Sequence, residues 1–168
     1  MVRPRPMTPG SGQESVWDYP RPPAVEPDTR RVRIICGGRT VVDTTDAVRV
    51  LETSHPPSWY VPSAALRGAR LVAASRTSSC EFKGRAAYHD IVDADSGRVL
   101  AAEAAWSYPR PTAGYEMLAN RFTVYPGRVD ECLVDDERVR SQAGGFYGGW
   151  ITSDVVGPFK GAKGTLGW

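Results

Sequence analysis

The sequence predicts a single, mainly β domain built from antiparallel strands. Its 168 residues suit one ordinary domain with a sizeable core. Seventeen glycines and fourteen prolines interrupt the chain at short intervals, which is typical of many short strands joined by turns. Apolar residues alternate with polar ones between these interruptions, and no segment sustains the period of about 3.6 residues that marks an amphipathic helix.

Four consecutive segments are expected along the chain. Residues 1–15 are rich in Pro, Gly and Ser and are predicted to be disordered. Residues 16–29 form a Pro-rich arm whose aromatic side chains dock onto the domain, because an exposed Trp is unfavourable. Residues 30–140 form the core domain, and residues 141–168 form a tail, rich in Gly and aromatic residues, that wraps around the core.

Two hairpins and a further turn follow from the turn signals. Residues 30–45 carry β-branched runs on either side of Gly37 and Gly38, which is the signature of a two-residue hairpin turn. Residues 84–108 predict a long hairpin with its turn at 95–97. Residues 121–140 predict two more strands, bent at Pro126-Gly127 and followed by a turn near Asp135-Asp136.

A further strand is predicted before an irregular stretch. Residues 47–53 are interpreted as a strand with Val48 and Leu51 on one face and Arg49 and Glu52 on the other.

The stretch "SHPPSWYVPSAAL" departs from the strand pattern because consecutive prolines prevent regular pairing. Short helical turns are expected at residues 62–66 and 114–120, where Pro-Ser and "GYEMLAN" occur.

Composition argues against several classes of function. The formal net charge is +2, and no basic run suggests a nucleic-acid partner. No apolar stretch approaches a membrane span or a secretory signal. Three cysteines, Cys36, Cys80 and Cys132, are too few and too scattered for a disulfide framework. We expect a reduced, soluble, cytoplasmic protein, monomeric or homodimeric, with neither a nucleic acid nor a membrane as its partner.

No metal or cofactor is expected. Structural zinc sites use closely spaced pairs of Cys or His, and this sequence has none. There is no phosphate-binding loop of either common type. The glycines around Lys160 and Lys163 are interpreted as turns around docked aromatic residues, with an anion site on their backbone N–H groups as the weaker alternative.

Two stretches carry candidate functional side chains. In "TSSCEFKGRAAYHD", Cys80 and Lys83 lie near Tyr88, while His89 points to the opposite face of the strand. The second histidine, His55, begins the irregular Pro-rich stretch, and such loops often hold functional residues. Glu52, three positions earlier, is placed to orient the imidazole. The alternative is a loop histidine with only a structural role.

Six ordered motifs resemble one known family, the domain of unknown function 427 family, and are most similar to its actinobacterial members. They are "VWDYPRPP", "RVLETSHPPSWYVP", "SSCEFKGRAAYHD", "AAWSYPRP", "FTVYPGRVD" and "GGFYGGWITSDVVGPFKGAKGTLGW". The resemblance implies a compact antiparallel fold of the β-tent type, similar to methionine sulfoxide reductase B. It also implies a nucleotidyltransferase-like activity, although no Gly-Ser pair followed by a D-x-D triad is present.

The family resemblance and the residue chemistry together define a candidate site. Ser79 stands where many members have a histidine, which leaves His55 as the better imidazole. The predicted catalytic residues are His55, Glu52, Cys80 and Lys83, and the predicted ligand-binding residues are Arg49, Trp59, Tyr60, Tyr88 and Trp106.

The preferred hypothesis is a small-molecule-binding domain, with cofactor-independent acid–base chemistry of the lyase, isomerase or cyclase type if it is an enzyme. In that case His55 is the acid or base, Glu52 orients it, and Lys83 holds an anionic group of the substrate. The alternatives are a non-catalytic self-association or interaction module and a nucleotidyltransferase.

Overall fold

A computed structural model describes residues 2–168. Within that range the chain forms fifteen β-strands and four three-residue 3-10 helices, and contains no α-helix. The strands are β1 Glu14–Ser15, β2 Ala24–Asp28, β3 Val32–Cys36, β4 Arg39–Thr44, β5 Ala47–Leu51, β6 Ser58–Pro62, β7 Ala69–Cys80, β8 Gly84–Asp93, β9 Val99–Ser107, β10 Arg121–Val124, β11 Glu131–Val134, β12 Glu137–Arg138, β13 Arg140–Ser141, β14 Trp150–Ile151 and β15 Val155–Val156. The prediction of a mainly antiparallel β domain is confirmed.

The 3-10 helices are Val16–Asp18, Ser63–Ala65, Glu116–Leu118 and Pro126–Arg128. The second and third lie where short helical turns were expected, and the other two were not predicted. At Val16–Asp18 the Ser15 side chain accepts a hydrogen bond from the Trp17 N–H and so starts the turn. None of the helices within residues 2–168 has the length and apolar character needed to cross a bilayer.

Two larger sheets organise the domain. A seven-stranded sheet has the order β2-β5-β6-β10-β9-β8-β7, and a four-stranded sheet has the order β12-β11-β3-β4. Every neighbouring pair in these sheets is antiparallel. The turns of the two predicted hairpins and the predicted turn near Asp135-Asp136 are present. Gly37 and Gly38 both have positive φ, as a tight two-residue turn requires.

The two faces of the seven-stranded sheet carry different clusters. One face shares a buried apolar cluster with the four-stranded sheet, to which Trp59, Val61 and Phe122 contribute. The other face carries a second cluster, rich in Tyr, that includes Tyr60 and Trp106. We call these the inter-sheet core and the tyrosine face. Neighbouring residues of a strand point in opposite directions, so Trp59 lies in the inter-sheet core and Tyr60 lies on the tyrosine face.

The predicted division of β5 into an apolar and a polar face is wrong. Val48 and Val50 belong to the tyrosine face, whereas Leu51 packs with Val16 and Trp17 of the arm. All five β5 residues are buried, since β5 is paired on both edges and covered on both faces. Successive side chains of an extended strand point to opposite faces. Residues 48 and 51, which are three positions apart, therefore cannot share a face.

The arm and the tail pack against each other on the domain. Strands β1 and β15 pair in parallel, and the Trp17 indole N–H donates to the Pro158 carbonyl oxygen at 2.9 Å. The Trp17 ring lies 5.9 Å from the Trp168 ring, centroid to centroid. Within the segment predicted to be disordered, the Met7 N–H donates to the Gly157 carbonyl oxygen, and Glu14–Ser15 form β1. The amino-acid composition of residues 1–15 does not predict these contacts, because main-chain atoms make them.

A buried arginine ties the arm to β5. The Arg49 side chain is 7% exposed, and its guanidinium lies 3.1 Å from Glu14 and 3.2 Å from Asp28. Burial by itself raises the pKa of both carboxyls. For Glu14, hydrogen bonds from Arg49 and Tyr19 and the positive charge of Arg49 outweigh burial. For Asp28, hydrogen bonds and positive charge from Arg30 outweigh it, with a smaller contribution from the charge of Arg49. Both carboxyls therefore have a pKa below the usual range and stay ionised at neutral pH.

This network makes the stability of the fold depend on pH. A carboxyl whose pKa is lower in the folded state contributes stability above its unfolded pKa of about 4, and loses it as the pH falls through the folded pKa. We expect the free energy of unfolding, measured by urea titration, to fall from about pH 6 to about pH 3. In Arg49→Met it should be lower by roughly 1–3 kcal/mol at neutral pH and should fall less steeply.

The matched control is Arg121→Met, because Arg121 pairs with Asp46, whose side chain is 68% exposed. That variant should retain the pH dependence of the wild type. Equal pH dependence in Arg49→Met, Arg121→Met and the wild type would contradict a role for Arg49 in holding these carboxyls ionised.

Candidate functional site

A cavity of about 210 Å³ opens on the tyrosine face of the seven-stranded sheet. Its walls come from β5 to β9, from the connection between β5 and β6, and from the segment that follows β13. Both polar and apolar side chains line it. This combination is usual for small-molecule sites, although the volume is below the range of about 300–1,000 Å³ typical of drug-sized ligands.

Seven of the nine predicted site residues line this one cavity. His55 and Cys80, which are 25 positions apart in the sequence, face the same space. The predicted residues that the cavity brings together are Glu52, His55, Tyr60, Cys80, Lys83, Tyr88 and Trp106.

The structure places the other two predicted residues elsewhere. Trp59 lies in the inter-sheet core, where its ring stacks on Trp150 with the centroids 6.3 Å apart. Arg49 is its cross-strand partner and so shares the same face of the sheet. The physical reason is the alternation of β5 and β6, which directs Val50 and Tyr60 into the cavity and their neighbours away from it. His89 also points away from the cavity and lies 2.9 Å from the Ser107 hydroxyl.

The connection between β5 and β6 holds the polar end of the cavity. Pro56 and Pro57 prevent it from pairing as a strand, and Ser54 adopts a left-handed φ of 72°. The Ser54 N–H donates to the Val16 carbonyl of the arm, and the Ser54 carbonyl accepts from the Lys160 N–H of the tail. The loop is therefore fixed from both sides, and the direction of the His55 side chain with it.

Glu52 and His55 form a close pair at this end. Nε2 of His55 lies 3.2 Å from Oε2 of Glu52, and the guanidinium of Arg21 lies 3.6 Å from the same oxygen. Burial by itself raises the pKa of Glu52, but the hydrogen bond from His55 and the positive charges of Lys83 and Arg21 outweigh it. The pKa of Glu52 is therefore lowered, and the cavity contains an ionised carboxylate at neutral pH.

Gln142 fixes the other side of the imidazole. The Gly149 N–H donates to Oε1 of Gln142 at 2.9 Å, which orients the amide so that its Nε2 faces inward. That Nε2 donates to the Lys160 carbonyl at 2.7 Å and lies 3.2 Å from Nδ1 of His55. Because the amide nitrogen is a donor, Nδ1 must accept, and the ring proton resides on Nε2 beside Glu52.

The aromatic wall consists of neutral, hydrogen-bonded phenols. The Trp106 indole N–H donates to the Tyr60 hydroxyl at 3.1 Å, and the Tyr88 hydroxyl lies 2.9 Å from the Ser78 hydroxyl. Burial raises the pKa of Tyr60 and Tyr108, and it raises the pKa of Tyr125 to about 12. These phenols are therefore hydrogen-bond donors and acceptors at neutral pH rather than bases.

The segment between β13 and β14 contributes cavity residues that were not predicted. Tyr147 meets the His55 ring edge to face, with the centroids 4.6 Å apart, and Phe146 packs on Tyr147. A Cβ on Gly148 would lie 2.7 Å from Trp106, and one on Gly149 would lie 2.7 Å from Pro56. Glycine thus allows the tail to approach the cavity. Two adjacent aromatic residues between glycine pairs, in "GGFYGG", were the available signal.

The three cysteines differ in access. Cys80 lines the cavity and is partly exposed, whereas Cys36 and Cys132 are buried. Burial raises the pKa of the Cys36 and Cys132 thiols. Across residues 2–168, no group of three or more His, Cys, Asp or Glu side chains is placed to hold a metal ion.

Comparison with known proteins assigns the chain to a family. A family model labelled NTP_transf_9 and described as "Domain of unknown function (DUF427)" matches residues 24–135. The chain belongs to the DUF427 family. No curated protein matches the sequence. The DUF427 match includes all seven predicted cavity residues, while Gln142, Phe146 and Tyr147 lie beyond it.

The hydrogen-bond pattern around His55 predicts its tautomer. With only two histidines, ¹⁵N-labelled imidazole spectra can be assigned by recording the His89→Asn variant. In its neutral form, His55 should show a protonated Nε2 and an acceptor-type Nδ1. In Gln142→Met, the Nδ1 resonance should move because its donor is removed. A protonated Nδ1 in the wild-type protein would contradict the hydrogen bonds described for His55, even if the Gln142→Met variant does not fold.

Access to the cavity predicts selective thiol chemistry. Iodoacetamide should alkylate Cys80 alone in the folded protein and all three cysteines in urea, as measured by mass spectrometry of the intact chain. Folded Cys80→Ser should remain unlabelled. Alkylation of folded Cys80→Ser at Cys36 or Cys132 would show that the burial described here does not hold in solution.

Proposed function

We propose that this DUF427 protein binds a small, single-ring organic molecule in the cavity, with Glu52 as the acceptor for a hydroxyl group of that ligand. One observation carries the proposal. An ionised carboxylate, held by His55 and Arg21, stands at the end of a cavity walled by neutral aromatic side chains. Apolar walls with a few fixed polar groups are the usual form of a site for a small molecule.

The division of roles between Glu52 and His55 follows from their partners. Both ring nitrogens of His55 already face protein groups, Glu52 on one side and Gln142 on the other. The contacts of Glu52 with His55 and Arg21 both use Oε2. Within residues 2–168, Oε1 of Glu52 has no hydrogen-bond partner. This geometry favours Glu52 as the group that meets the ligand and His55 as the group that orients it.

Binding is better supported than catalysis. A general base works best when its pKa lies near the working pH, and the pKa of Glu52 is lowered. An ionised carboxylate of this kind is a strong hydrogen-bond acceptor and a weak base. A ligand that displaces water from Glu52 would raise its pKa, and cofactor-independent acid–base chemistry would start from that bound state.

The alternative functions have weaker support. Trp17 and Tyr19 of the arm are buried against the protein's own tail and core, so they are not free to mediate self-association. A nucleotidyltransferase would need to hold a nucleoside triphosphate, and a cavity of about 210 Å³ suits a much smaller molecule.

A matched pair of probes tests the role of Glu52. Phenol carries a hydroxyl donor, and anisole is the corresponding ether without one. We expect both to shift the Trp106 indole N–H resonance in ¹H–¹⁵N spectra, assigned with Trp106→Phe, and phenol to bind more tightly. Glu52→Gln should weaken phenol binding roughly three- to tenfold and leave anisole within about twofold, because a charged acceptor is lost.

Glu81→Gln is the control, since Glu81 also lines the cavity but lies at its exposed edge. It should leave the phenol affinity close to that of the wild type. The proposal fails if neither probe shifts the Trp106 resonance, or if Glu52→Gln weakens phenol and anisole equally.

A further inference from the structure

We propose that the natural ligand class of the cavity is an organic anion, namely a small hydroxylated ring that carries a carboxylate. The inference rests on the proposed function and extends it by assigning the charge of the ligand. It follows from the arrangement of basic side chains around the aromatic wall.

Four of the cavity's tyrosine rings each have a cation over one face. Lys83 Nζ lies 5.6 Å from the centroid of Tyr108, and Lys160 Nζ lies 5.3 Å from that of Tyr147. The guanidinium carbons of Arg76 and Arg128 lie 4.3 Å and 4.0 Å from the centroids of Tyr88 and Tyr125. We call these four side chains the cation ring: Arg76, Lys83, Arg128 and Lys160.

The acidic side chains of the protein do not neutralise the cation ring. Within residues 2–168, none of its members forms an ion pair with an Asp or Glu side chain, whereas the buried Arg49 has three acidic neighbours. The hydrogen bonds of Arg128 go to the main-chain oxygens of Glu103 and Gly145. Main-chain oxygens of peptide groups are dipoles, and they leave the full positive charge of Arg128 in place.

The carboxylates of the cavity do not offset this charge. Two acidic residues, Glu52 and Glu81, line the cavity. Glu52 is already balanced by Arg21, and Glu81 is exposed to solvent. Lys83 is the member of the cation ring that lines the cavity, and the other three members lie over tyrosine rings of its wall without lining it. A concave, partly apolar site with an excess of one sign of charge around it focuses the electric field and concentrates counter-ions. The cavity should therefore attract an anion.

The same contacts argue against a cationic ligand. An aromatic cage binds an ammonium group through the negative faces of its rings. Here Tyr88, Tyr108, Tyr125 and Tyr147 already present a face to a cation of the protein. A cationic ligand would meet the electrostatic repulsion of these side chains.

The ligand must satisfy two charged side chains of the cavity. Its hydroxyl group meets Glu52 and its carboxylate meets Lys83, since both side chains line the cavity. The volume of about 210 Å³ corresponds to roughly seven water molecules at about 30 Å³ each. One ring with a carboxylate and a hydroxyl substituent is of matching size.

Three probes of similar size test the charge preference. They are 4-hydroxybenzoate, 4-hydroxybenzyl alcohol and 4-hydroxybenzylammonium, which share the phenol and carry an anionic, a neutral and a cationic group opposite the hydroxyl. Dissociation constants are measured from the Trp106 indole N–H shift at low ionic strength. We expect 4-hydroxybenzoate to bind roughly three- to tenfold more tightly than the alcohol, and the ammonium compound to bind most weakly.

Matched lysine variants locate the effect. Lys83→Met keeps most of the apolar stem and removes the charge, so it should weaken 4-hydroxybenzoate roughly three- to tenfold and leave the alcohol within about twofold. Lys163→Met, at an exposed lysine that does not line the cavity, should change neither affinity. Raising the salt from about 20 mM to about 500 mM should reduce the advantage of the anion.

The outcomes separate this inference from the proposed function. If the alcohol or the ammonium compound binds as tightly as 4-hydroxybenzoate, the anion preference is overturned while the cavity remains a ligand site. The anion preference also fails if Lys83→Met weakens the anion and the alcohol equally. If none of the three probes shifts the Trp106 resonance, the proposed function fails as well.

Discussion

The candidate site depends on two backbone hydrogen bonds at Ser54. Its N–H donates to Val16 of the arm, and its carbonyl accepts from Lys160 of the tail. A left-handed φ is unfavourable for serine, by roughly 1–3 kcal/mol in such regions, and persists only where the surroundings determine it. Here two segments from opposite ends of the chain do so. The arm and the tail are thus part of the site, because they fix the backbone from which His55 faces Glu52 and the cavity.

The alternation of strands separates the stabilising core from the cavity. Each central strand of the seven-stranded sheet contributes large residues to both faces, as Trp59 and Tyr60 do on β6. The four-stranded sheet covers one face, and the side chains of that face are buried in the inter-sheet core. Short connections and the tail cover the other face only in part, which leaves the cavity among the tyrosines. Substitutions in the cavity can therefore alter binding without disturbing the inter-sheet core, which is the physical basis for testing the site by mutation.

The sequence was informative where the signal was local. Turns at Gly37 and Pro126 and the irregular Pro-rich loop can be predicted from a few adjacent residues. Glu52 and His55 were found because they are three positions apart. Gln142 could not be found in this way, since it is 87 positions from His55 and its role arises from long-range packing. Arg49 and Trp59 were assigned to the cavity because their chemistry suited a site, but the period of two in β5 and β6 directs them to the other face.

The distribution of charge around the cavity is the physical basis of the proposed preference for an anionic ligand. Burial keeps Tyr60, Tyr108 and Tyr125 neutral, so the phenols contribute hydrogen bonds but no negative charge at neutral pH. The ionised groups lie instead in two places. Glu52 is in the loop between β5 and β6, and the members of the cation ring lie over the tyrosine side chains of the cavity wall. Because the loop and the tail are linked through Ser54 and Lys160, the carboxylate and one member of the cation ring are held by a single set of backbone bonds. The fold therefore fixes the position of Glu52 relative to the tail that carries Lys160.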